Sequence, residues 1–122
     1  VNSAGNERGS SFGHIIAPAD GDSVVTVGAV SLAGDYASFS SPGPTFDGRI
    51  KPDVMALGVS VPVVSPYSDD EYSNASGTSF SCPLTAAVGT MALDSVSQMP
   101  VWASTSSSSQ SRSFSVWSGE AG

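Results

Sequence analysis

The chain has 122 residues, which is the size of one domain or of a part of a larger one. Charged residues make up only 12%, which excludes a coiled coil or a highly charged disordered segment, and the net charge of −7 leaves no basic patch for a nucleic acid. The single cysteine, Cys82, excludes an internal disulfide and a thiolate-rich zinc site, and no apolar run is long enough to span a membrane.

The first part of the chain predicts short strands separated by loops. Val1–Ala4 is β-prone and runs into a glycine-containing loop, and residues 10–22 also indicate a loop. Ser23–Val30 is the strongest strand candidate, and its nearly continuous apolar run indicates burial on both faces, as in a parallel sheet. Tyr36–Ser40 alternates between apolar and polar residues and predicts a further brief strand.

A second long strand and a helix follow. Val59–Val64 predicts a strand, which Pro62 places at a sheet edge because proline cannot donate a ladder hydrogen bond. Residues 65–76 are polar and indicate a loop. A helix is predicted over residues 79–93, with Pro83 in its first turn, where a missing N–H is least costly. One face of this helix follows the spacing i, i+3, i+4 and i+7 through Leu84, Ala87, Val88 and Met91.

The character of the sequence changes at residue 94. The remainder is rich in serine and is almost pure Ser and Thr from Ser104 to Ser109. Low-complexity composition of this kind does not supply the apolar residues of a packed core. We therefore expect two segments: residues 1–93 form part of a folded domain, and residues 94–122 form a Ser-rich tail that is poorly ordered or non-native.

Gly77-Thr78-Ser79, at the start of the predicted helix, is the segment with the clearest chemical meaning. A serine at a helix N-terminus lies beside unpaired backbone N–H groups, which can hold an oxyanion. Gly77 would let a substrate backbone approach closely. Taken alone, however, such a segment is more typical of an ordinary helix cap.

Five separate segments resemble those of the subtilisin-like serine proteases, and they occur in that family's order. They are Ala4–Glu7, Val27–Val30, Ala37–Ser41, Asp47–Val54 and Gly77–Pro83. The resemblance covers about residues 1–93 and is far more specific than any one motif. It implies an α/β fold, namely part of a three-layer α/β/α arrangement with a mostly parallel sheet and a central helix after the nucleophile.

The resemblance also implies roles for individual residues. Ser79 would be the nucleophile that attacks a peptide carbonyl of a polypeptide substrate, and the amide of Asn6 would stabilise the resulting oxyanion. The remaining substrate-binding residues implied by the resemblance are Ser3, Ala4 and Gly5, in the primary specificity pocket, together with Gly77 and Thr78. Family members are secreted, so an extracellular location is expected.

A serine protease also needs an imidazole base and a carboxylate that orients it. In the family both precede the asparagine, so we expect them in an upstream part of the same catalytic domain, which would be this chain's partner. The start at Val1, inside a predicted strand, indicates a cut. The only histidine, His14, follows Asn6 and matches no family motif, so it is interpreted as an exposed loop residue. Asp53 is expected to have a structural role near the core.

Two other groups of reactive side chains have simple interpretations. Cys82, one helical turn after Ser79, is predicted to be a small buried residue rather than a second nucleophile. Asp69-Asp70-Glu71 lacks the spacing of a known calcium loop and is interpreted as a solvated turn. Many family members use calcium, but no metal site and no cofactor are assigned in this chain.

Two alternatives remain open at this point. The chain could be an inactive, truncated relative that serves at most as an interaction module, because a triad with one member gives little turnover. It could also be a small β-rich binding domain built on the valine-rich strands, in which case it would contain no helix.

Overall fold

The computed structural model describes residues 1–97. Within them lie five strands and one helix. They are β1 (Asn2–Ser3), β2 (Thr26–Val30), β3 (Val54–Leu57), β4 (Val61–Val64), β5 (Tyr72–Ala75) and α1 (Thr78–Ser97). The presence of α1 excludes the helix-free β-rich alternative. The predicted Ser-rich tail lies outside the described residues, except for residues 94–97, which belong to α1.

A three-stranded parallel sheet forms the centre of the fold. Its order is β1-β2-β3, with Thr26 opposite Asn2 and Val27 opposite Val54. The middle strand is buried from Thr26 to Ala29, which explains its nearly continuous apolar sequence. The predicted parallel strand is thereby confirmed, although it begins at Thr26 rather than at Ser23. The strand β3 was missed because its outer residues are only partly covered and its apolar run is short.

The second sheet is the antiparallel hairpin of β4 and β5, in which Val61 pairs with Ala75 and Val64 with Tyr72. The prediction of a strand at Val59–Val64 is confirmed in its main part. The prediction that residues 65–76 form only a loop is wrong for β5. Its residues are mostly polar, but their backbone groups form hydrogen bonds with the adjacent strand β4. The predicted strand at Tyr36–Ser40 is reduced to one isolated bridge between Tyr36 and Val30.

The helix α1 packs on the parallel sheet through its small residues. Ser81 is fully buried, and Cys82, Thr85 and Ala86 are half-buried. The apolar face predicted from the sequence points away from this contact, and Val88 is 67% exposed. The helix begins one residue before the predicted start and ends at Ser97, four residues beyond the predicted end.

Leu84 and Val88 of this outer face, with Val54 and Met55 of β3, line a shallow apolar groove of about 270 Å³. Within the described part of the chain, nothing covers this groove. A small cluster of buried apolar residues contains Ala4, Ile15 and Ala19. Among residues 1–97, no helix is both long enough and apolar enough to cross a membrane.

Candidate functional site

Residues from opposite ends of the described chain form the candidate site. Asn6 lies three residues beyond the end of β1, and Ser79 is the second residue of α1. Ligands of open α/β sheets bind outside the carboxyl ends of parallel strands. The predicted oxyanion side chain is therefore located where such a site is expected.

The side-chain amide of Asn6 is oriented by Thr78. Its Oδ1 accepts hydrogen bonds from the Thr78 backbone N–H and from the Thr78 hydroxyl, both at 3.0 Å. The Thr78 hydroxyl oxygen accepts in turn from the Gly5 N–H at 3.2 Å. A backbone N–H can only donate, so it fixes which side of the amide carries the oxygen. The Nδ2 group therefore faces the other way, and no acceptor within residues 1–97 engages it.

Ser79 presents both an exposed side chain and an unpaired backbone donor. The first N–H groups of a helix have no acceptor inside the helix. The N–H groups of both neighbours are occupied, because Thr78 donates to Asn6 and Phe80 donates to the Gly77 carbonyl at 3.1 Å. The Ser79 N–H and hydroxyl have no partner in the described part of the chain. The structure thus leaves two donors open beside the serine, namely this N–H and Asn6 Nδ2.

Gly77 lies beside the Asn6 amide. A Cβ atom at this position would make ordinary van der Waals contacts, at 3.4 Å from Asn6 Nδ2 and 3.7 Å from the Phe80 ring. The Gly77 N–H is occupied elsewhere, because it donates to the Gly58 carbonyl at 2.8 Å.

Gly58 directly follows β3 and contacts the segment that carries Ser79, through Gly77 and Ser81. A Cβ atom on Gly58 would overlap the Ser81 hydroxyl and would lie 2.7 Å from the Ala29 Cβ. The buried Ser81 hydroxyl donates to the Ala56 carbonyl at 3.1 Å. The nucleophile segment is thus held against β3 at residues on both sides of Ser79. This role of Gly58 was not predicted, since an isolated glycine in a sequence does not reveal what it packs against.

A cavity of about 280 Å³ is lined by Gly5 and Glu7, the chain neighbours of Asn6. The predicted pocket residues Ser3 and Ala4 also line it, so the structure gathers Ser3, Ala4 and Gly5 at one cavity. The lining further includes the segment of residues 16–19, which was not predicted from the sequence. Glu7 is the only ionisable side chain of the lining.

A larger, mostly apolar cavity of about 490 Å³ shares Ile16 with the first and is lined by His14 and Phe46 among others.

The start of β2 is held by a buried cation. The Lys51 side chain is only 5% exposed, and its Nζ donates to the Val24 carbonyl and to Asp53 Oδ2. The same carboxylate oxygen accepts from the Thr26 N–H at 2.7 Å. Burial opposes ionisation of Asp53, but the hydrogen bonds from Lys51 and Thr26 outweigh it and lower the pKa of the carboxyl. Asp53 therefore has the predicted structural role, and it acts at Thr26, the first residue of the central strand.

A second charged contact closes the loop before Lys51. The Arg49 Nε donates to Asp47 Oδ2 at 2.8 Å, and the Thr45 hydroxyl donates to Asp47 Oδ1. These hydrogen bonds, that of Arg49 foremost, lower the pKa of Asp47 from 3.8 to about 2. The pKa of Arg49 is raised, chiefly by the same contact with Asp47. Arg49 also donates to the Asp20 carbonyl at 2.7 Å, which ties this loop to the wall of the larger cavity.

The other reactive side chains lie outside this arrangement. His14 is exposed in a loop, as predicted. Cys82 is half-buried rather than buried, because it lies at the edge of the contact between α1 and the sheet. Asp69, Asp70 and Glu71 are exposed in the turn between β4 and β5. Within residues 1–97, no group of three or more His, Cys, Asp or Glu side chains could hold a metal ion.

Comparisons with known proteins agree with this architecture. A sequence profile of the Subtilase family matches residues 1–113. Subtilisin DY of Bacillus licheniformis is 39% identical over 94 residues, which cover 76% of this chain and 31% of that protein. Serine protease AprX of Bacillus subtilis (strain 168) is 35% identical over 98 residues, which cover 65% of this chain and 22% of that protein.

Among solved structures, the self-cleaved protease domain of PatA matches with a TM-score of 0.52 and 28% identity, over 69% of this chain and 29% of that one. The chain thus spans less than a third of the length of these relatives. The α/β fold class predicted from the sequence is confirmed as a partial subtilisin-like fold, with one helix layer on the sheet among residues 1–97. With a family match over residues 1–113, the chain belongs to the subtilase family.

Proposed function

We propose that the protein containing this chain is a serine endopeptidase in which Ser79 is the nucleophile. The observation that carries this proposal is the pair of unpaired donors beside Ser79, namely its own N–H and Asn6 Nδ2. Donors that are fixed before the reaction stabilise the developing oxyanion better than mobile water does. An ordinary helix cap would use its side chain to accept a backbone N–H, whereas the Ser79 hydroxyl has no partner within residues 1–97.

The reaction follows from this arrangement. The Ser79 Oγ attacks the peptide carbonyl carbon while an imidazole takes the hydroxyl proton, and the carbonyl oxygen becomes an oxyanion held by the two donors. Collapse of this intermediate breaks the C–N bond, and the imidazolium returns its proton to the leaving amine. Water then hydrolyses the acyl-enzyme by the same steps. The cavity lined by Ser3, Ala4 and Gly5 would take the side chain next to the attacked carbonyl.

The imidazole and its orienting carboxylate would come from an upstream part of the same catalytic domain. His14 is the only histidine in the sequence, it is exposed in a loop, and it has no hydrogen bond to Ser79. The outer edge of β1 has no strand paired to it within residues 1–97, and the apolar groove between α1 and β3 is open. Both surfaces could be covered by the upstream part, and an extracellular location fits this family.

An inactive relative is the second candidate, and one observation favours it for the 122-residue chain by itself. The Ser79 hydroxyl has no base within hydrogen-bond reach among residues 1–97, so the isolated chain would hydrolyse peptides poorly at best. In this case the chain would act as an interaction module through its open groove and strand edge.

The test is active-site labelling with a fluorophosphonate. The longest natural reading frame that contains these residues is expressed, alongside the variants Ser79→Ala and Ser38→Ala, and the 122-residue chain is treated in parallel. We expect the longer protein and its Ser38→Ala variant to be labelled, and the Ser79→Ala variant and the short chain not to be labelled. Ser38→Ala controls for the loss of an exposed serine hydroxyl. Labelling that persists in Ser79→Ala would exclude Ser79 as the nucleophile, and a longer protein that is never labelled would favour the inactive relative.

A further inference from the structure

We propose that Ser41 is a positioning residue that fixes the backbone position of Asn6. This role rests on the proposed function and extends it to a residue that contacts neither substrate nor nucleophile. Ser41 is fully buried and lies at the end of the segment of residues 37–41, for which the sequence suggested a family resemblance but no task.

Ser41 is bonded to both chain neighbours of Asn6. Its backbone N–H donates to the Gly5 carbonyl at 2.9 Å, and its hydroxyl oxygen accepts from the Glu7 N–H at 2.9 Å. One residue thus fixes the peptide groups before and after Asn6. Gly5 has a φ of 97°, and a Cβ on it would lie 3.0 Å from the Ser41 hydroxyl, so this tight approach requires glycine.

The segment that carries Ser41 is itself anchored to the middle of the sheet. The Ala37 N–H donates to the Ala29 carbonyl at 2.9 Å, and the Ala29 N–H donates to the Ser40 hydroxyl at 3.1 Å. On the outer side, the Tyr36 hydroxyl donates to the carbonyls of Ser40 and Ser41, both at 3.2 Å. Ser41 is therefore held by β2, the most buried strand of the structure.

Two independent restraints thus meet at Asn6. Thr78 holds the side-chain oxygen, whereas Ser41 holds the backbone from which that side chain projects. The first restraint fixes which way the amide faces, and the second fixes where it is. Because oxyanion donors work only at about 2.7–3.1 Å from the developing charge, a small shift of the Asn6 backbone would weaken catalysis without removing any catalytic group.

The experiment is a double-mutant cycle in the longest natural reading frame, with kcat and KM measured on a peptide amide. The variants are Ser41→Ala, Asn6→Ala and the combination of both. Ser38→Ala, an exposed serine of the same segment that has no side-chain hydrogen bond, is the matched control. We expect Ser41→Ala to lower kcat about tenfold with KM changed less than twofold, and Ser38→Ala to change neither.

The cycle distinguishes positioning from general destabilisation. If Ser41 acts through Asn6, Ser41→Ala has no further effect once Asn6 is Ala. An equal tenfold loss in both backgrounds, or no loss in either, would overturn the proposal. Should Ser41→Ala fail to fold, Ser41→Cys replaces it in the double-mutant cycle, because cysteine fills a similar space with a weaker hydrogen-bond acceptor. If Ser79→Ala is as active as the unaltered protein, the proposed function itself fails; if it is inactive and the two losses are equal, only the role of Ser41 fails.

Discussion

Asn6 and Thr78 are 72 positions apart in the sequence, yet the asparagine Oδ1 accepts two hydrogen bonds from that one threonine. The contact joins the strand that ends before Asn6 to the helix that begins at Thr78. It decides which side of the amide carries the hydrogen-bond donors. In the proposed oxyanion site, the direction of the Asn6 Nδ2 group is therefore set by Thr78.

Thr78→Val should lower catalysis without altering the nucleophile. Valine has nearly the same shape as threonine, but it leaves Asn6 Oδ1 with one donor and the Gly5 N–H without its acceptor. We expect kcat to fall about tenfold, well short of the ~10²–10³ known from subtilisin for loss of the asparagine donor itself. Thr85→Val, which removes a hydroxyl bonded only to the Ser81 carbonyl, is the control. An unchanged kcat for Thr78→Val would show that the backbone N–H alone orients the amide.

Gly58→Ala should destabilise the protein, because the added Cβ meets Ser81 and Ala29 in a closely packed crossing. We expect a loss of about 1–3 kcal/mol in the free energy of unfolding, measured by chemical denaturation. Gly89→Ala is the matched control, because a Cβ there has no neighbour within 4 Å and alanine favours a helix by roughly 1 kcal/mol. Equal effects of the two substitutions would contradict the close contact at Gly58.

Asp53→Asn should weaken the start of β2, because it leaves the buried Lys51 ammonium without its carboxylate. As Asp53 is 38% exposed, we expect a modest loss of about 1–2 kcal/mol at pH 7. The lowered pKa of Asp53 stabilises the fold above the ordinary carboxyl pKa, and this contribution is lost as the pH falls through the folded value. The unfolding curves of the variant and the parent should therefore differ at pH 7 and converge at acid pH. Asp35→Asn, an exposed carboxylate, serves as the control.

Arg49→Gln should raise the pKa of Asp47. The carboxyl titrates at about 2 because Arg49 and then Thr45 donate hydrogen bonds to its ionised form. Without the guanidinium we expect the pKa to move back toward 3.8, followed by NMR of the carboxyl carbon as a function of pH. Arg8→Gln is the control, because that guanidinium lies over the Tyr36 ring at 4.3 Å instead. A midpoint that stays near 2 in Arg49→Gln would assign the shift to Thr45.

The sequence predicted the central features of the fold from local signals. The valine-rich run of β2 and the small-residue helix after Gly77 both carry patterns that follow from burial. The two missed strands lack such a pattern: β3 is short, and the polar β5 forms because β4 lies beside it. The outer face of α1 is the opposite case, since Val88 is apolar yet exposed among residues 1–97.

The residues of the candidate site were proposed from the sequence, but the residues that hold them in place were not. Asn6 and Ser79 were assigned from resemblance, and the structure brings Asn6 into hydrogen-bond contact with Thr78, the neighbour of Ser79. The tasks of Ser41 and Gly58 depend on what packs against them, which is a property of the tertiary structure. Lys51 gave no signal either, because nothing in a lysine's local sequence reveals that its ammonium will be buried.

The distance along the chain between Asn6 and Thr78 also determines when the site can appear during folding. Contacts between residues far apart in sequence form late, because closing the intervening loop costs entropy that only the completed structure repays. A chain emerging from the ribosome has made Asn6 and the whole of β2 before Thr78 exists. Until α1 docks on the sheet, the asparagine amide has nothing to orient it. A newly made chain therefore lacks the proposed oxyanion site until α1 has docked.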